Sequence, residues 1–319
     1  MKLYLAGGIQ ANCKPLWTAF ISAVYKGGKE LEIYLAGTQG RRWCVDDYMK
    51  LYLAGNNDKR KIMDLYLAGT MYGNQGSFIN KCKENIKGIS ENKIDIAILE
   101  SFYYADEWTE KTIPLLSNFL LDSGAFTFMS NTKKGKINWK EYIDKYIAFI
   151  NRNNVKHFFE LDIDCIVGYE NVLKIRKYIE EKTGKKCIPV WHKSRGKDEF
   201  LKMCDEYDYV AIGGIVSKEI TQVEYPYFTW FINEAHKRGC KIHGLGFTNL
   251  KGLERYKFDS VDSTSWTTGN RFGSVYVFNG RTMDKHNKGA GQRLADSRAV
   301  AVHNFNEWVK FQKYAEKNL

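Results

Sequence analysis

Six short segments hold the residues best placed to do chemistry: Asp122-Ser123-Gly124, Asp162-Ile163-Asp164, Trp191-His192, Gly213-Gly214, His243-Gly244 and Asp262-Ser263. Each directly follows an apolar run with strand character, where a strand delivers its last side chains. Four of these residues, Asp122, Asp162, Asp164 and Asp262, are carboxylic acids spread over three segments. A single polar residue after a strand often does no more than cap the next helix. Acids converging from separate strands behave differently. Their repulsion drives their protonation apart, leaving one as a nucleophile and another as a proton carrier near neutral pH. Two such groups flanking a glycosidic bond suit displacement at an anomeric carbon.

Other chemistries fit less well. No serine stands in G-x-S-x-G, so the α/β-hydrolase elbow is absent. Lys193 follows one strand, but no strand ends in a lysine placed for a Schiff base. His192, His243, Asp162 and Asp164 are metal-ligand types without tight ligand spacing, and no metal or cofactor is expected. The seven cysteines are scattered singly, with no C-x-x-C pair. That pattern argues against a zinc ribbon and points to reduced thiols in a cytoplasm.

The elements that must position these groups form a regular series from residue 64 onward. Strand character recurs at Leu65–Ala68, Ile94–Tyr104, Asn118–Asp122, His157–Ile163, Cys187–His192, Tyr209–Ile215, Lys241–Gly246 and Asp259–Ser263. Helical spacing lies between them, clearest over Trp139–Asn151, where Tyr142, Ile143, Tyr146, Ile147 and Ile150 mark one face. Eight strands with helical crossovers predict an α/β fold of the (β/α)8 TIM-barrel type, with a mixed sheet as the alternative. Residues 1–63 are expected to be an irregular N-terminal elaboration, 64–291 the catalytic barrel and 292–319 a closing helix. In such a barrel the catalytic groups gather at the C-terminal ends of the strands, so all six segments would share one face. The elaboration contains a repeated word, [LI]-Y-L-A-G, at Leu3–Gly7, Ile33–Gly37 and Leu51–Gly55, and a fourth copy, Leu65–Gly69, opens the barrel. The spacing is too irregular for a solenoid.

Composition adds a partner. Lys and Arg number 48 against 37 Asp and Glu, a net charge of +11, with 14% aromatic residues. Such a surface suits a polyanion, because phosphate contacts release counterions and rings stack on bases. The apolar runs fall short of the ~18 residues that span a bilayer, and the start lacks a signal-peptide pattern. A cytoplasmic protein without membrane association is expected.

Four segments then resemble one family. Leu120-Leu-Asp-Ser-Gly-Ala-Phe-Thr-Phe-Met-Ser130 resembles the D-S-G-G-F-Q segment of tRNA-guanine transglycosylases. Ala211-Ile-Gly-Gly-Ile-Val216 is similar to their I-G-G-L-A-V, and His243-Gly-Leu-Gly246 to their M-G-V-G. Phe258-Asp-Ser-Val-Asp-Ser263 resembles the I-D-M-F-D-C strand that carries the nucleophile. The four fall in family order over roughly residues 118 to 265. The resemblance implies Asp262 as nucleophile at C1′, with Asp259 as the competing assignment, and Asp122 as general base. It implies that Asp162 or Asp164 reads the guanine edge. Ser123, Gly213 and Gly214 would line the base pocket. His192 stands near a family glutamine that meets a carbonyl, and His243, in the M-G-V-G-like segment, is expected with it among the substrate-binding residues.

The chain departs from the tRNA enzymes after the nucleophile. No cysteine follows Cys240, so their C-x-C-x2-C…H zinc site is missing. The run Ser263-Thr-Ser-Trp-Thr-Thr-Gly-Asn-Arg-Phe-Gly273 stands there instead, and its V-D-S-T-S-W start resembles the phage-type branch that exchanges guanine in DNA for a 7-deazaguanine. That implies a flipped-out base in DNA, favoured over tRNA, and a free 7-deazaguanine as second substrate. Trp266, Arg271, Lys133 and Lys134 are then the expected nucleic-acid contacts. Two other classes stay open: a barrel enzyme holding a small sugar phosphate on Gly213-Gly214 and Gly244–Gly246, or a non-catalytic nucleic-acid-binding barrel. The oligomeric state is left open.

Overall fold

The computed structural model describes residues 2–6, 32–36, 63–70, 89–90, 93–130, 137–268, 272–289, 291 and 296–319. The chain forms two compact units, residues 1–59 and 60–319. In the first, β1 (Lys2–Ala6) and β2 (Glu32–Ala36) pair in parallel. These are two copies of the repeated word, aligned copy to copy: Leu3 opposite Ile33, Tyr4 opposite Tyr34. The fourth copy is β3 (Asp64–Ala68) in the second unit. The third, at 51–55, lies outside the described residues.

The second unit is α/β. After β3 and the short β4 (Ile89–Ser90) come β5 (Lys93–Ser101), α1 (Glu107–Thr112), β6 (Leu116–Asp122), α2 (Ala125–Ser130) and α3 (Trp139–Arg152). Then follow β7 (His157–Phe158), α4 (Asp164–Val167), α5 (Tyr169–Thr183), β8 (Val190–Trp191), α6 (Gly196–Glu206) and β9 (Tyr209–Ile212). The last crossovers are α7 (Phe228–Lys237), β10 (Lys241–Gly244), α8 (Leu250–Arg255) and β11 (Ser260–Ser263). Eight of these strands form one parallel sheet in the order β7-β6-β5-β3-β11-β10-β9-β8, with β4 antiparallel on β5. The strands at the two ends of that path meet through a parallel bridge between Phe159 and Ile188. Glu160 N–H donates to Ile188 O at 3.0 Å and Ile188 N–H to Phe158 O at 2.8 Å. The sheet is therefore curled until its ends touch, flanked by helices in the manner of a TIM barrel.

Side-chain alternation sorts the strands into two faces. Tyr66, Ala68, Ala97, Leu99, Leu120, Phe159, Ile188, Val190 and Ala211 form one buried cluster lining the curl. Their neighbours Leu65, Leu67, Ile96, Ile98, Val210, Ile212, Ile242 and Val261 belong to a separate core with the helices. Several strands are shorter than their apolar runs predict. Ile94–Tyr104 stops at Ser101 because Phe102–Tyr104 winds into a 3₁₀ turn. His157–Ile163 stops at Phe158, since Ile163 N–H turns back to Leu161 O at 2.9 Å and Asp164 opens α4.

A hairpin, β12 (Ser274–Phe278) and β13 (Met283–Asn287), precedes the long α9 (Ser297–Asn318). This helix covers a gap in the ladder. β3 and β5 pair only at Leu67–Ile98 and Ala68–Leu99, and the β5–β6 register shifts between Ile94 and Ala97. Gln312 of α9 fills the space: its Oε1 accepts from Ala97 N–H at 3.1 Å, and its Nε2 donates to Leu65 O and Ala97 O at 2.5 and 2.8 Å. Backbone groups the ladder leaves open are thereby satisfied.

Candidate functional site

All eight strands run the same way, so their C-terminal ends share one side of the sheet. Asp122 is the last residue of β6 and lies level with Ser101, the last of β5. Two residues beyond the interior Leu120, it shares that inward face. Its Oδ2 accepts from Gly124 N–H at 3.0 Å. Although partly accessible, Asp122 is pressed by protein on every side. Burial, then the charges of Asp162 and Asp262, push its carboxyl up to about 7 against the pull of Ser101 and Gly124.

The two nucleophile assignments separate by the same alternation. Val261 belongs to the outer core, so Ser260 and Asp262 face the interior and Asp259 faces out. Asp262 Oδ1 accepts from Gly246 N–H at 2.6 Å and sits 3.2 Å from His243 Nε2. Asp259 is at the opposite end, where its Oδ2 meets His236 Nε2 at 2.9 Å and accepts from Ile242 N–H at 2.8 Å. Asp262 belongs to the acid cluster and Asp259 ties α7 to the sheet.

Asp162 and His192 form the second part of the site. His192 Nε2 lies 3.0 Å from Asp162 Oδ2, and its Nδ1 lies 3.1 Å from Glu219 Oε2. Burial disfavours the imidazolium, but hydrogen bonding and charge from Asp162 and a hydrogen bond from Glu219 outweigh it and push His192 up to about 9. Burial also raises Asp162, with His192 opposing. Asp164 is engaged elsewhere: Arg195 Nη2 is 3.2 Å from its Oδ2. Arg195 also pairs with the buried Glu160 at 2.9 Å, which takes Arg176 Nε at 2.7 Å and Val190 N–H at 2.8 Å.

A cleft of about 840 Å³ opens beside this network, lined by Phe126, Asp164, Tyr169, His192, Arg195 and Glu219 among others. Glu219 and Arg195 carry no motif and were not read from the sequence. The glycine pair is the signal that could have led to Glu219. Gly214 has φ +80°, and a Cβ there would lie 2.8 Å from Glu219 Oε2. A Cβ on Gly213 would lie 2.7 Å from His192 Cε1. The room these glycines leave is taken by His192 and Glu219.

Other expected residues fall as follows. Ser123 is buried, its hydroxyl without a hydrogen-bond partner, while its carbonyl accepts from Tyr142 Oη at 2.6 Å. His243 is corrected: expected to bind substrate, it is fully buried, with its two ring nitrogens against Ser260 Oγ and Asp262 Oδ1. Trp266 is corrected: expected to stack on a nucleotide, it is only 1% exposed, packs on Phe305 and donates from Nε1 to Ala68 O at 2.8 Å. A large indole in the V-D-S-T-S-W turn serves the core rather than the surface. Lys133, Lys134 and Arg271 lie outside the described residues.

Fold and site thus define an α/β protein with a curled parallel sheet, acids gathered at the carboxyl ends of its strands, and a cleft beside His192 and Glu219. No known family model matches the chain, and no curated protein matches it. No helix among the described residues is long and apolar enough to cross a membrane.

Proposed function

We propose that this protein is a base-exchanging transglycosylase that replaces guanine in a nucleic acid, DNA in preference to tRNA, with a free 7-deazaguanine. The observation that carries the reading is the unequal treatment of two interior acids. Asp262 is anchored at one oxygen by Gly246 N–H and lies there against His243 Nε2, while Asp122, within reach of its charge, is pushed up to about 7. One acid is equipped to attack and the other to carry a proton at neutral pH.

In the first half-reaction an Asp262 oxygen bonds to C1′ as the C1′–N9 bond breaks. The carboxyl of Asp122 gives its proton to the departing base. In the second half Asp122, now a carboxylate, takes the proton from the incoming base. That nitrogen bonds to C1′ and Asp262 is released as a carboxylate. Asp162 and Ser123 supply acceptor and hydroxyl groups for the base edge, and His192, whose two ring nitrogens are taken by Asp162 and Glu219, holds Asp162 in place. The preference for DNA rests on the V-D-S-T-S-W resemblance; the charge of +11 serves either polymer.

The sugar-phosphate alternative loses its cradle. At Gly213-Gly214 the space holds a histidine and a carboxylate, which repels phosphate. Gly246 N–H is committed to Asp262, and Gly244 is closed by Phe247 and Phe258.

The test is release of labelled guanine from DNA and from tRNA on adding a 7-deazaguanine base such as preQ0. Release from DNA alone is expected. Release from tRNA alone would move the substrate to RNA, and release from neither would remove the activity.

A further inference from the structure

We infer that His243 is a positioning residue for Asp262, fixed in one tautomer by a column of hydroxyl groups inside the sheet. The inference rests on the proposed role of Asp262. It concerns residues that role does not require, since neither His243 nor the column below it would touch substrate.

The column begins at Tyr209 on β9, whose hydroxyl meets Ser260 Oγ on β11. Ser260 Oγ lies 2.6 Å from His243 Nδ1 on β10, and His243 Nε2 lies 3.2 Å from Asp262 Oδ1. His243 is fully buried, with its ring centroid 5.2 Å from Phe159 and 6.1 Å from Tyr66. An ionised Asp262 is an acceptor only, so the hydrogen between it and His243 belongs to Nε2. A neutral ring with its hydrogen on Nε2 accepts at Nδ1, which takes the single hydrogen of Ser260. Ser260 Oγ in turn accepts from Tyr209. Donor and acceptor alternate without a gap. In the other neutral tautomer the Nε2 lone pair would face the carboxylate, an uncompensated repulsion in a buried site.

The arrangement also divides the two oxygens of Asp262. Gly246 and His243 both donate to Oδ1, and no described residue donates to Oδ2. Oδ2 is left as the oxygen that bonds to C1′, and Oδ1 becomes the ester carbonyl of the intermediate. When the intermediate breaks down, the C1′–Oδ2 electron pair returns to the carboxylate. The two donors then stabilise that leaving group. Loss of His243 should therefore slow release of Asp262 more than it weakens substrate binding.

The experiment compares kcat, KM and adduct lifetime for His243→Leu, His243→Gln, Ser260→Ala, Tyr209→Phe and Asp262→Asn, with ¹⁵N imidazole spectra of the intact protein. His243→Leu is expected to lower kcat about 100-fold with KM within threefold, and to lengthen the life of the covalent adduct. His243→Gln should recover most of the rate, because its amide accepts from Ser260 and donates to Asp262. The wild-type spectrum should show the Nε2–H tautomer, and Ser260→Ala a mixture. An Nδ1–H tautomer, or a His243→Leu enzyme with unchanged kcat and adduct lifetime, would overturn the inference. If His243→Leu does not fold, Ser260→Ala and the spectra carry the test. Undiminished exchange by Asp262→Asn would instead sink the nucleophile assignment, which the tautomer spectra do not depend on.

Discussion

His192 Nε2 lies 3.0 Å from Asp162 Oδ2, so the edge of the cleft holds a charged imidazole between two acids rather than a neutral one. The pair sets the local field of the site and ties two separate strand ends together. It also makes stability depend on pH. His192 is raised to about 9 from an ordinary value near 6.5, so its contribution is fully present below about 6.5 and is lost as pH climbs through 9. Urea titrations across this range should show wild type losing about 2 kcal/mol more than His192→Gln. Parallel curves for the two proteins would contradict the ion pair.

Asp122 shifts stability with pH in the same direction, over a lower range. Its carboxyl is raised to about 7, so the folded state binds that proton more tightly than the unfolded chain. Ionising it costs stability progressively from about pH 4 to 7, and the cost persists above that. Asp122→Asn keeps an oxygen for Gly124 N–H and removes the charge. At pH 8 the variant should be about 2 kcal/mol more stable than wild type, with a small difference at pH 4. Base exchange should fall by about 10²–10⁴. A variant that loses activity without gaining stability at pH 8 would mean Asp122 is not a strained acid.

Much of this site was legible because a strand is a ruler. The alternation that makes Leu120 an interior residue puts Asp122 inside too, and Val261 in the outer core sends Asp262 in and Asp259 out. The eight-strand series was likewise readable, because buried parallel strands are continuous apolar runs. What was hidden came from loops and from size. Glu219 and Arg195 lie in segments with no periodicity, and only their partners reveal them. Trp266 was misread because an aromatic in a polar turn looks like a stacking platform, whereas here it is held by Ala68 and Phe305. Run lengths also overstate strands: nothing in His157–Ile163 announces the turn at Leu161–Ile163.

The glycine pair gives a third prediction. Gly214→Ala would force a left-handed alanine and a Cβ 2.8 Å from Glu219 Oε2. A cost of about 1–3 kcal/mol in stability is expected. Displacing Glu219 should free His192 and raise KM for the incoming base at least tenfold, with a smaller effect on kcat. An unchanged KM would separate Glu219 from base recognition.

Gln312 offers a prediction away from the cleft. Gln312→Leu would strand the polar groups of Ala97 and Leu65 that the amide now satisfies. Unfolding free energy should drop by about 3 kcal/mol, with activity of the folded fraction preserved. A neutral substitution would show that α9 is not needed to complete the sheet between β3 and β5.

The most direct measurement is mass spectrometry of the protein quenched during turnover with guanine-containing DNA. A covalent adduct is expected, mapped to Asp262 and carrying the abasic nucleotide, that disappears when a 7-deazaguanine is added and is absent from Asp262→Asn. Guanine exchange without any adduct at Asp262, or an adduct at Asp259, would contradict the account.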